Sequence, residues 1–365
     1  MKIALVHDHL AQYGGAEKVL KAFQEIWPRA PIFTLVYDKR RAANFFQDKD
    51  IRCSFIQRLP WGLKKYQWFL PLMPLATEKY NLMDFDVVLS SSSAFAKGVI
   101  TRPETIHICY CHTPTRYLWT DTYSYIEELP YPRLIKLIIP LVLSYIRIWD
   151  RVASDRVDKF IVNSQVVAQR VRKYYRREST VIYPPVETKK FKISQDLGNY
   201  YLIGGRLVAY KRFDLAIQAF NKLGIPLKVF GSGPEIKNLR KKAKANIEFL
   251  GQISEERMAE LYSKCLAFIY PQEEDFGITA VEAMASGRPV IAYKKGGALE
   301  TVIEGVTGKF FDEQCWESLA DSVVRFKAKD YDPQKIRKHA LNFDIEIFKK
   351  RIKEFVEGEI KLIKR

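Results

Sequence analysis

The chain has 365 residues, 47% of them hydrophobic and 13% aromatic, and a formal net charge of +17. That length suggests about two to three domains, and the composition excludes a mostly disordered, fibrous or low-complexity chain. The positive surplus is spread over both halves, which suits an anionic membrane surface, an anionic substrate or nucleic acid without choosing among them.

The first residues read directly as a strand over 3–6, with no long apolar stretch and no small-residue cleavage site, so no signal peptide is expected. A loop from His7 to Gly15 leads into a helix over 16–27, with Val19, Leu20, Phe23 and Ile26 at helical spacing. A second strand is expected over 32–36. Residues 55–70 mix aromatics with cations and read either as a helix burying its aromatics or as a membrane-interface segment. Further strands are expected over 86–90, 105–110 and 159–162. Asp84-x-Asp86 could pair on a metal, but Asp86 opens an apolar strand and the pair reads better as a helix-to-strand junction. Residues 134–149 are apolar but interrupted by Lys136, Pro140 and Arg147, short of the roughly 18 to 20 residues that a spanning helix needs. They read first as a buried core helix and second as an interfacial one.

Pro184-Pro185 marks a stiff connector. The pattern then restarts, with strands over 200–203, 227–230, 247–249, 267–269 and 290–292 and helices between them. Strands alternating with helices predict parallel, doubly wound sheets. The expected organisation is an α/β domain over 1–183, a second over 184–344 and an amphipathic, Lys-rich helix over 345–365. The five cysteines (53, 109, 111, 265 and 315) form no paired framework and read as reduced thiols of a cytosolic protein; Cys109-x-Cys111 gives only half of a zinc site.

The candidate chemistry lies where strands end. Gly14-Gly15, between the first strand and first helix, serves a tight turn or lets backbone N–H groups approach a phosphate. Gly204-Gly205-Arg206 follows the first strand of the second domain, with Lys211 five residues on. Two cations there fit a diphosphate: arginine offers a fork and lysine a point charge. Open α/β sheets bind ligands at the carboxyl ends of their strands. Gly231-Ser-Gly-Pro234 also follows a strand. Glu274 and Glu282 lie eight apart around Phe276-Gly277, and paired carboxylates can accept from sugar and ribose hydroxyls. His112 shares a strand-end loop with Pro114 and Arg116.

Gly14-Gly15-Ala-Glu17, His112-x-Pro114, Gly205-Arg206 with Lys211, and Glu274-x7-Glu282 running on to Pro289 occur in this order over nearly the whole chain. Together they resemble the retaining nucleotide-sugar glycosyltransferases of family four, which have the GT-B fold: two Rossmann-like domains facing a central cleft. Tyr110-Cys-His-Thr-Pro with Gly296-Gly-Ala-Leu-Glu-Thr is most similar to bacterial and archaeal mannosyltransferases of surface-polysaccharide assembly, the WbaZ-like group. The resemblance implies catalytic roles for His112, Arg206, Lys211 and Glu274. The donor-binding set would be Gly14, Gly15, Arg206, Lys211, Gly231, Glu274, Phe276, Gly277 and Glu282, with Glu274 on the donor sugar and Glu282 on the ribose. Tyr13, Arg116 and Trp119 would face the acceptor. The donor implied is GDP-mannose, a substrate and not a cofactor, and no metal is expected. The acceptor implied is a saccharide or a polyprenyl-diphosphate-linked saccharide, met at the inner face of the cytoplasmic membrane, with peripheral contact to anionic lipid. A UDP-sugar donor, or a sugar-nucleotide 2-epimerase of the same fold, is the alternative. Nucleic acid is not expected as a partner, because the charge is diffuse and no reader motif is present.

Overall fold

The computed structural model describes residues 1–12, 14–128 and 132–363. The chain divides into two compact units, residues 1–183 with 348–365, and residues 184–347.

The first unit is built on seven parallel strands: β1 (Ile3–His7), β2 (Ile32–Thr34), β3 (Ile51–Cys53), β4 (Val87–Ser92), β5 (Ile106–Cys111), β6 (Lys159–Val162) and β7 (Ser179–Val181). Their order is β3-β2-β1-β4-β5-β6-β7. Helices cover both faces, so β1 and β4 are buried along their whole length without alternation; β1 is apolar up to His7, and β4 runs from Val87-Val-Leu into three buried serines. The strand order reverses between β1 and β4, which pair in register from Ile3 opposite Val87 to His7 opposite Ser91. Helix α1 (Gly15–Ile26) follows β1 and buries Val19, Leu20 and Phe23.

Helix α2 (Arg133–Ala153) corrects the first reading of residues 134–149. Only one face is buried, through Leu143, Ile146 and Asp150, while Leu134, Leu137 and Leu141 on the other are 72 to 77% exposed. Residues 55–70 are no α-helix either. They form short 3₁₀ turns over Phe55–Arg58 and Tyr66–Leu72, the second with Pro71 inside it, where a missing N–H breaks regular helix. Asp86 sits at a junction and accepts the Lys2 amide at 2.8 Å.

The second unit has six parallel strands: β8 (Tyr201–Gly204), β9 (Leu227–Phe230), β10 (Ile247–Gly251), β11 (Phe268–Tyr270), β12 (Val290–Tyr293) and β13 (Gly308–Phe311). Their order is β10-β9-β8-β11-β12-β13, reversing between β8 and β11. The core on one side packs Ile203, Val229 and Ile269 of the sheet against Leu215, Ile217 and Phe220 of helix α3 (Phe213–Leu223). Helix α4 (Ile278–Ala285) follows β11. The terminal helix α5 (Ile345–Ile363) begins in this unit and, from Phe348 on, belongs to the first. There Phe348 stacks on Phe23 at 5.9 Å, Lys349 pairs with Glu25 at 3.0 Å and Glu359 with Lys159 at 3.1 Å.

Candidate active site

Each sheet places its polar strand ends where its strand order reverses, the crevice in which open α/β sheets take ligands.

In the second unit, β8 ends at Gly204 and the chain turns through Gly205 to an exposed Arg206. Lys211, on the short turn before α3, places Nζ 2.9 Å from Glu274 Oε1. The other carboxylate oxygen of Glu274 accepts from the Tyr270 hydroxyl at 2.7 Å. Tyr270 is the last residue of β11, so the strands on either side of the reversal supply one linked cluster. The lysine is 12% and the glutamate 19% exposed. Burial opposes the charge of Lys211, but Glu274 outweighs it and the ammonium pKa is raised despite the opposing field of Arg206. The site therefore holds a cation that stays charged, beside a second, exposed one.

Backbone approach makes this cluster possible. Gly231 has φ +117°, and a Cβ there would lie 1.8 Å from the Gly205 carbonyl oxygen, so the loops after β8 and β9 close together only without one. Gly277, the N-cap of α4, has φ +97°, and its Cβ would meet the Tyr270 hydroxyl at 2.6 Å. Phe276 anchors the same loop, buried edge-on against Phe343 at 5.4 Å. The Gly297 amide donates to the Glu274 carbonyl at 2.8 Å. Glu282 lies one turn into α4, 3% exposed, beside Tyr262. Burial and the Glu282 charge hold that tyrosine's pKa well above its ordinary value.

In the first unit, His112 follows β5, its amide bonded to the Ser92 carbonyl and its carbonyl to the Asn163 side chain. Ser91 Oγ lies 2.8 Å from His112 Nε2 and 3.1 Å from His7 Nδ1, so one hydroxyl joins the two rings. The Nε2 of His7 lies 3.8 Å from Glu17 Oε1, and Glu17 Oε2 accepts the Gly14 amide at 2.8 Å. His112, Gly14 and Glu17 thus belong to one chain of polar contacts, hydrogen-bonded except at the His7–Glu17 step. Burial, helped by His7, lowers the His112 pKa to about 4, so its ring is neutral at ordinary pH. No hydrogen bond to its Nδ1 is present among the described residues. That nitrogen can donate or accept according to the tautomer that Ser91 selects. The carboxylate of Asp8 accepts the amides of Ser93, Ala94, Phe95 and Ala96 at 2.6 to 3.0 Å and shapes the loop after β4.

Arg206, Lys211, Gly231, Glu274, Phe276 and Gly277 therefore come together in one unit, and His112 with the Gly14-Gly15 turn in the other. The Gly14 amide is committed to Glu17 Oε2. Arg116 pairs with Asp121 at 2.8 Å. The Trp119 indole donates to the buried Asp150 at 2.8 Å, and its ring stacks on Tyr174. Both belong to the packing around α2. Tyr13 lies outside the described residues. His7, Ser91 and Tyr270 were missed in the sequence reading; each is a polar residue in the last turn of a strand, and that position is the signal that marks them. Among the described residues no group of three or more His, Cys, Asp or Glu side chains gathers to hold a metal. Cys109 and Cys111 are buried along β5, and burial pushes the Cys109 thiol up to about 12.

Two doubly wound parallel sheets, with a cation pair at one reversal point and a histidine at the other, fit the GT-B glycosyltransferases that the sequence resembles. The comparisons agree: the profile described as Glycosyltransferase Family 4 matches residues 13–190 and that of Glycosyl transferases group 1 matches residues 186–343, and the chain belongs to this family. An uncharacterised glycosyltransferase of Methanocaldococcus jannaschii is 29% identical over 49% of this chain and 52% of its own, so the match spans about half of that relative. The α-1,3/1,6-mannosyltransferase ALG2 of Dictyostelium discoideum is 26% identical over 73% of this chain and 70% of its own. A GDP-mannose-dependent α-mannosyltransferase of Corynebacterium glutamicum is 34% identical over 30% of this chain and 26% of its own. Among solved structures, Anabaena HepE in complex with UDP and glucose is 19% identical, with TM-score 0.74 over 98% of this chain and 99% of that one.

Proposed function

We propose that this glycosyltransferase moves mannose from GDP-mannose, with retention of anomeric configuration, onto a saccharide or polyprenyl-diphosphate-linked saccharide at the inner face of the cytoplasmic membrane. The observation that carries the reading is the Lys211–Glu274 pair beside Arg206 at the β8/β11 reversal. Two cations next to one carboxylate match a ligand with a diphosphate at one end and sugar hydroxyls at the other. The mannosyltransferase names of two of the relatives support the choice of sugar, and the GDP-mannose in one of those names supports the base.

In this reading Arg206 and Lys211 neutralise the diphosphate as it leaves, an electrostatic stabilisation that grows along the reaction. Glu274, held by Tyr270, accepts from the sugar hydroxyls, and Glu282 from the ribose. The bond from the sugar's anomeric carbon to the diphosphate oxygen breaks. The bond to the acceptor oxygen forms on the same face, and the acceptor's proton goes to the departing phosphate. His112, neutral and oriented by Ser91, offers Nδ1 to the donor sugar. No metal takes part.

The test is calorimetric binding of GDP, UDP, ADP and their sugar derivatives without metal. GDP and GDP-mannose bind selectively, and Lys211→Ala lowers their affinity by about tenfold to a hundredfold, the loss of a charge-assisted hydrogen bond. A preference for uridine nucleotides overturns the mannose assignment, and no binding at all overturns the donor site.

A further inference from the structure

The chain of polar contacts behind His112 ends, in the core, on a histidine and a carboxylate that the proposed reaction leaves without a task. His7 closes β1 and Glu17 lies on α1; they are 3% and 2% exposed, and Ser91 between the two imidazoles is fully buried. His112 alone of the four is half-buried, so the chain runs from the interior of the first unit to its surface.

The protons available fix what His112 can present. Ser91 Oγ lies within hydrogen-bond distance of both His7 Nδ1 and His112 Nε2. A hydroxyl has one proton, so it donates to one ring and must receive from the other. Two arrangements satisfy both contacts. In the first, Ser91 donates to His7 and His112 donates from Nε2, which leaves the Nδ1 of His112 bare. In the second, His7 donates from Nδ1 and Ser91 donates to His112 Nε2, which puts the His112 proton on Nδ1.

Glu17 decides between them. Its Oε1 lies 3.8 Å from His7 Nε2, and its Oε2 accepts the Gly14 amide at 2.8 Å. Gly14 is the N-cap of α1, where an ionised carboxylate meets the positive end of the helix dipole. Burial opposes that charge, but His7 and a backbone hydrogen bond outweigh it and hold the carboxyl below its ordinary range. A ring nitrogen that faces an ionised carboxylate carries its proton there. A neutral His7 is therefore protonated on Nε2 and bare on Nδ1, which is the first arrangement. The other titratable groups facing His7 are its chain neighbours Asp8 and His9 and, through Ser91, His112. Asp8 is occupied by four backbone amides. Burial holds His9 below its ordinary range, uncharged at neutral pH.

We propose that His7 and Glu17 are positioning residues that fix the tautomer of His112 through Ser91, so that His112 turns a bare Nδ1, an acceptor, toward the donor. A carboxylate behind an imidazole selects its tautomer in the same way in serine hydrolases, where an amide in its place keeps the geometry and loses the rate. Where His112 faces the donor sugar, the reading on which this role rests, a bare nitrogen accepts from a sugar hydroxyl. It also meets the anomeric carbon, positive as the bond to the diphosphate breaks, with a lone pair and not with an N–H. A coupled proton step follows. A proton from water enters at His112 Nδ1, the Nε2 proton of His112 passes to Ser91, and the hydroxyl proton of Ser91 passes to His7 Nδ1. The positive charge comes to rest beside Glu17, while His112 stays neutral and its Nδ1 changes from acceptor to donor.

The experiment is two-bond proton–nitrogen correlation NMR on the full chain with isotope-labelled histidine rings, which separates bare from protonated nitrogens. Single His→Gln variants assign the five histidines. At mildly alkaline pH His7 and His112 both carry their proton on Nε2. On acidification His7 gains a second proton and His112 exchanges Nε2–H for Nδ1–H in the same step. Ser91→Ala breaks the link, so that His7 titrates and His112 no longer follows; Ser91→Thr restores it. Glu17→Gln keeps the bond to the Gly14 amide but can also donate to His7, and His112 becomes a mixture of tautomers. The kcat of that variant falls in proportion to the wrong tautomer, about twofold at equal shares, with KM for the donor unchanged. Glu25→Gln, elsewhere on α1 and paired with Lys349, changes neither spectrum nor rate. A His112 protonated on Nδ1 in the alkaline wild type overturns the proposal, and that spectrum needs no variant to fold. So does a His112 that keeps its tautomer while His7 titrates. Spectra that follow this pattern beside an unchanged kcat in Glu17→Gln overturn the placing of His112 on the donor and leave the tautomer assignment standing.

Discussion

The carboxyl ends of β1 and β4 in the first unit and of β8 and β11 in the second are equivalent places in two sheets of like topology, yet they are furnished in opposite ways. The first presents two imidazoles joined by the hydroxyl of Ser91. Its charged groups face inward, Asp8 onto four backbone amides and Asp150 onto Lys97. The second presents a lysine, an exposed arginine and one tyrosine-held carboxylate. Topology fixes where a site can form; the residues just past each strand decide whether it orients a neutral group or neutralises an anion.

The inward charge of the first unit gives the largest expected effect. Lys97 and Asp150 are 2% and 1% exposed, and Lys97 also donates to the Ala94 carbonyl. Lys97→Met removes the one cation facing Asp150 among the described residues and leaves that buried side chain with neutral donors only, and stability in urea falls by about 3–5 kcal/mol. A change below ~1 kcal/mol would show that the two units do not differ in how their charges are held.

The second unit is more sensitive in its backbone than in its charges. Gly277→Ala forces a side chain onto φ +97° and against the Tyr270 hydroxyl. A cost of about 2 kcal/mol is expected, together with weaker nucleotide binding as Tyr270 releases Glu274. Melting and calorimetry on the same variant separate the two, and unchanged binding would detach Tyr270 from the site.

The imidazoles of the first unit also set its response to acid. Burial lowers His107 and His112 from 6.5 to about 4. Between those values the unfolded chain takes up protons that the folded chain refuses, so stability rises with pH across that window. The contribution is fully present above about pH 6.5 and is lost as pH falls toward 4. Urea midpoints should be flat above about pH 6.5 and fall as the pH drops through that window, and His107→Asn should make the fall shallower. An unchanged slope would mean that His107, bonded to Ser90 at 2.8 Å, is not among the groups responsible.

Central strands were legible because both their faces are covered. Residues 159–162 and 227–230 were bounded in the sequence as the structure has them. Three strands were missed: β3, β7 and β13, all at sheet edges. β3 and β7 have no buried residue, so no apolar run betrays them. The site divides in the same way. Arg206, Lys211 and Glu274 stand within a few residues of a strand end and its glycines, which a sequence displays. His7 and Ser91 are 84 residues apart, and only the parallel register of β1 with β4 makes them neighbours. The outward stripe of α2 misled for a related reason: apolar residues on two faces look like a buried helix until the packing shows that only one is covered.

That register pair gives the smallest effect and the sharpest comparison. Ser91 Oγ lies between the two rings, 3.1 Å from His7 Nδ1 and 2.8 Å from His112 Nε2. Ser91→Ala removes both bonds and leaves His112 free to turn. Its role is to position His112, so donor affinity should stay unchanged while kcat falls about tenfold, the worth of a hydrogen bond near 1.4 kcal/mol. Ser91→Thr keeps the hydroxyl and should restore most of the rate. Lys211→Ala shows the reverse pattern, losing affinity before rate. If Ser91→Ala instead weakens nucleotide binding, or if threonine fails to rescue it, the hydroxyl supports the fold alone, and the division between an orienting unit and a charge-neutralising unit fails at its most specific point.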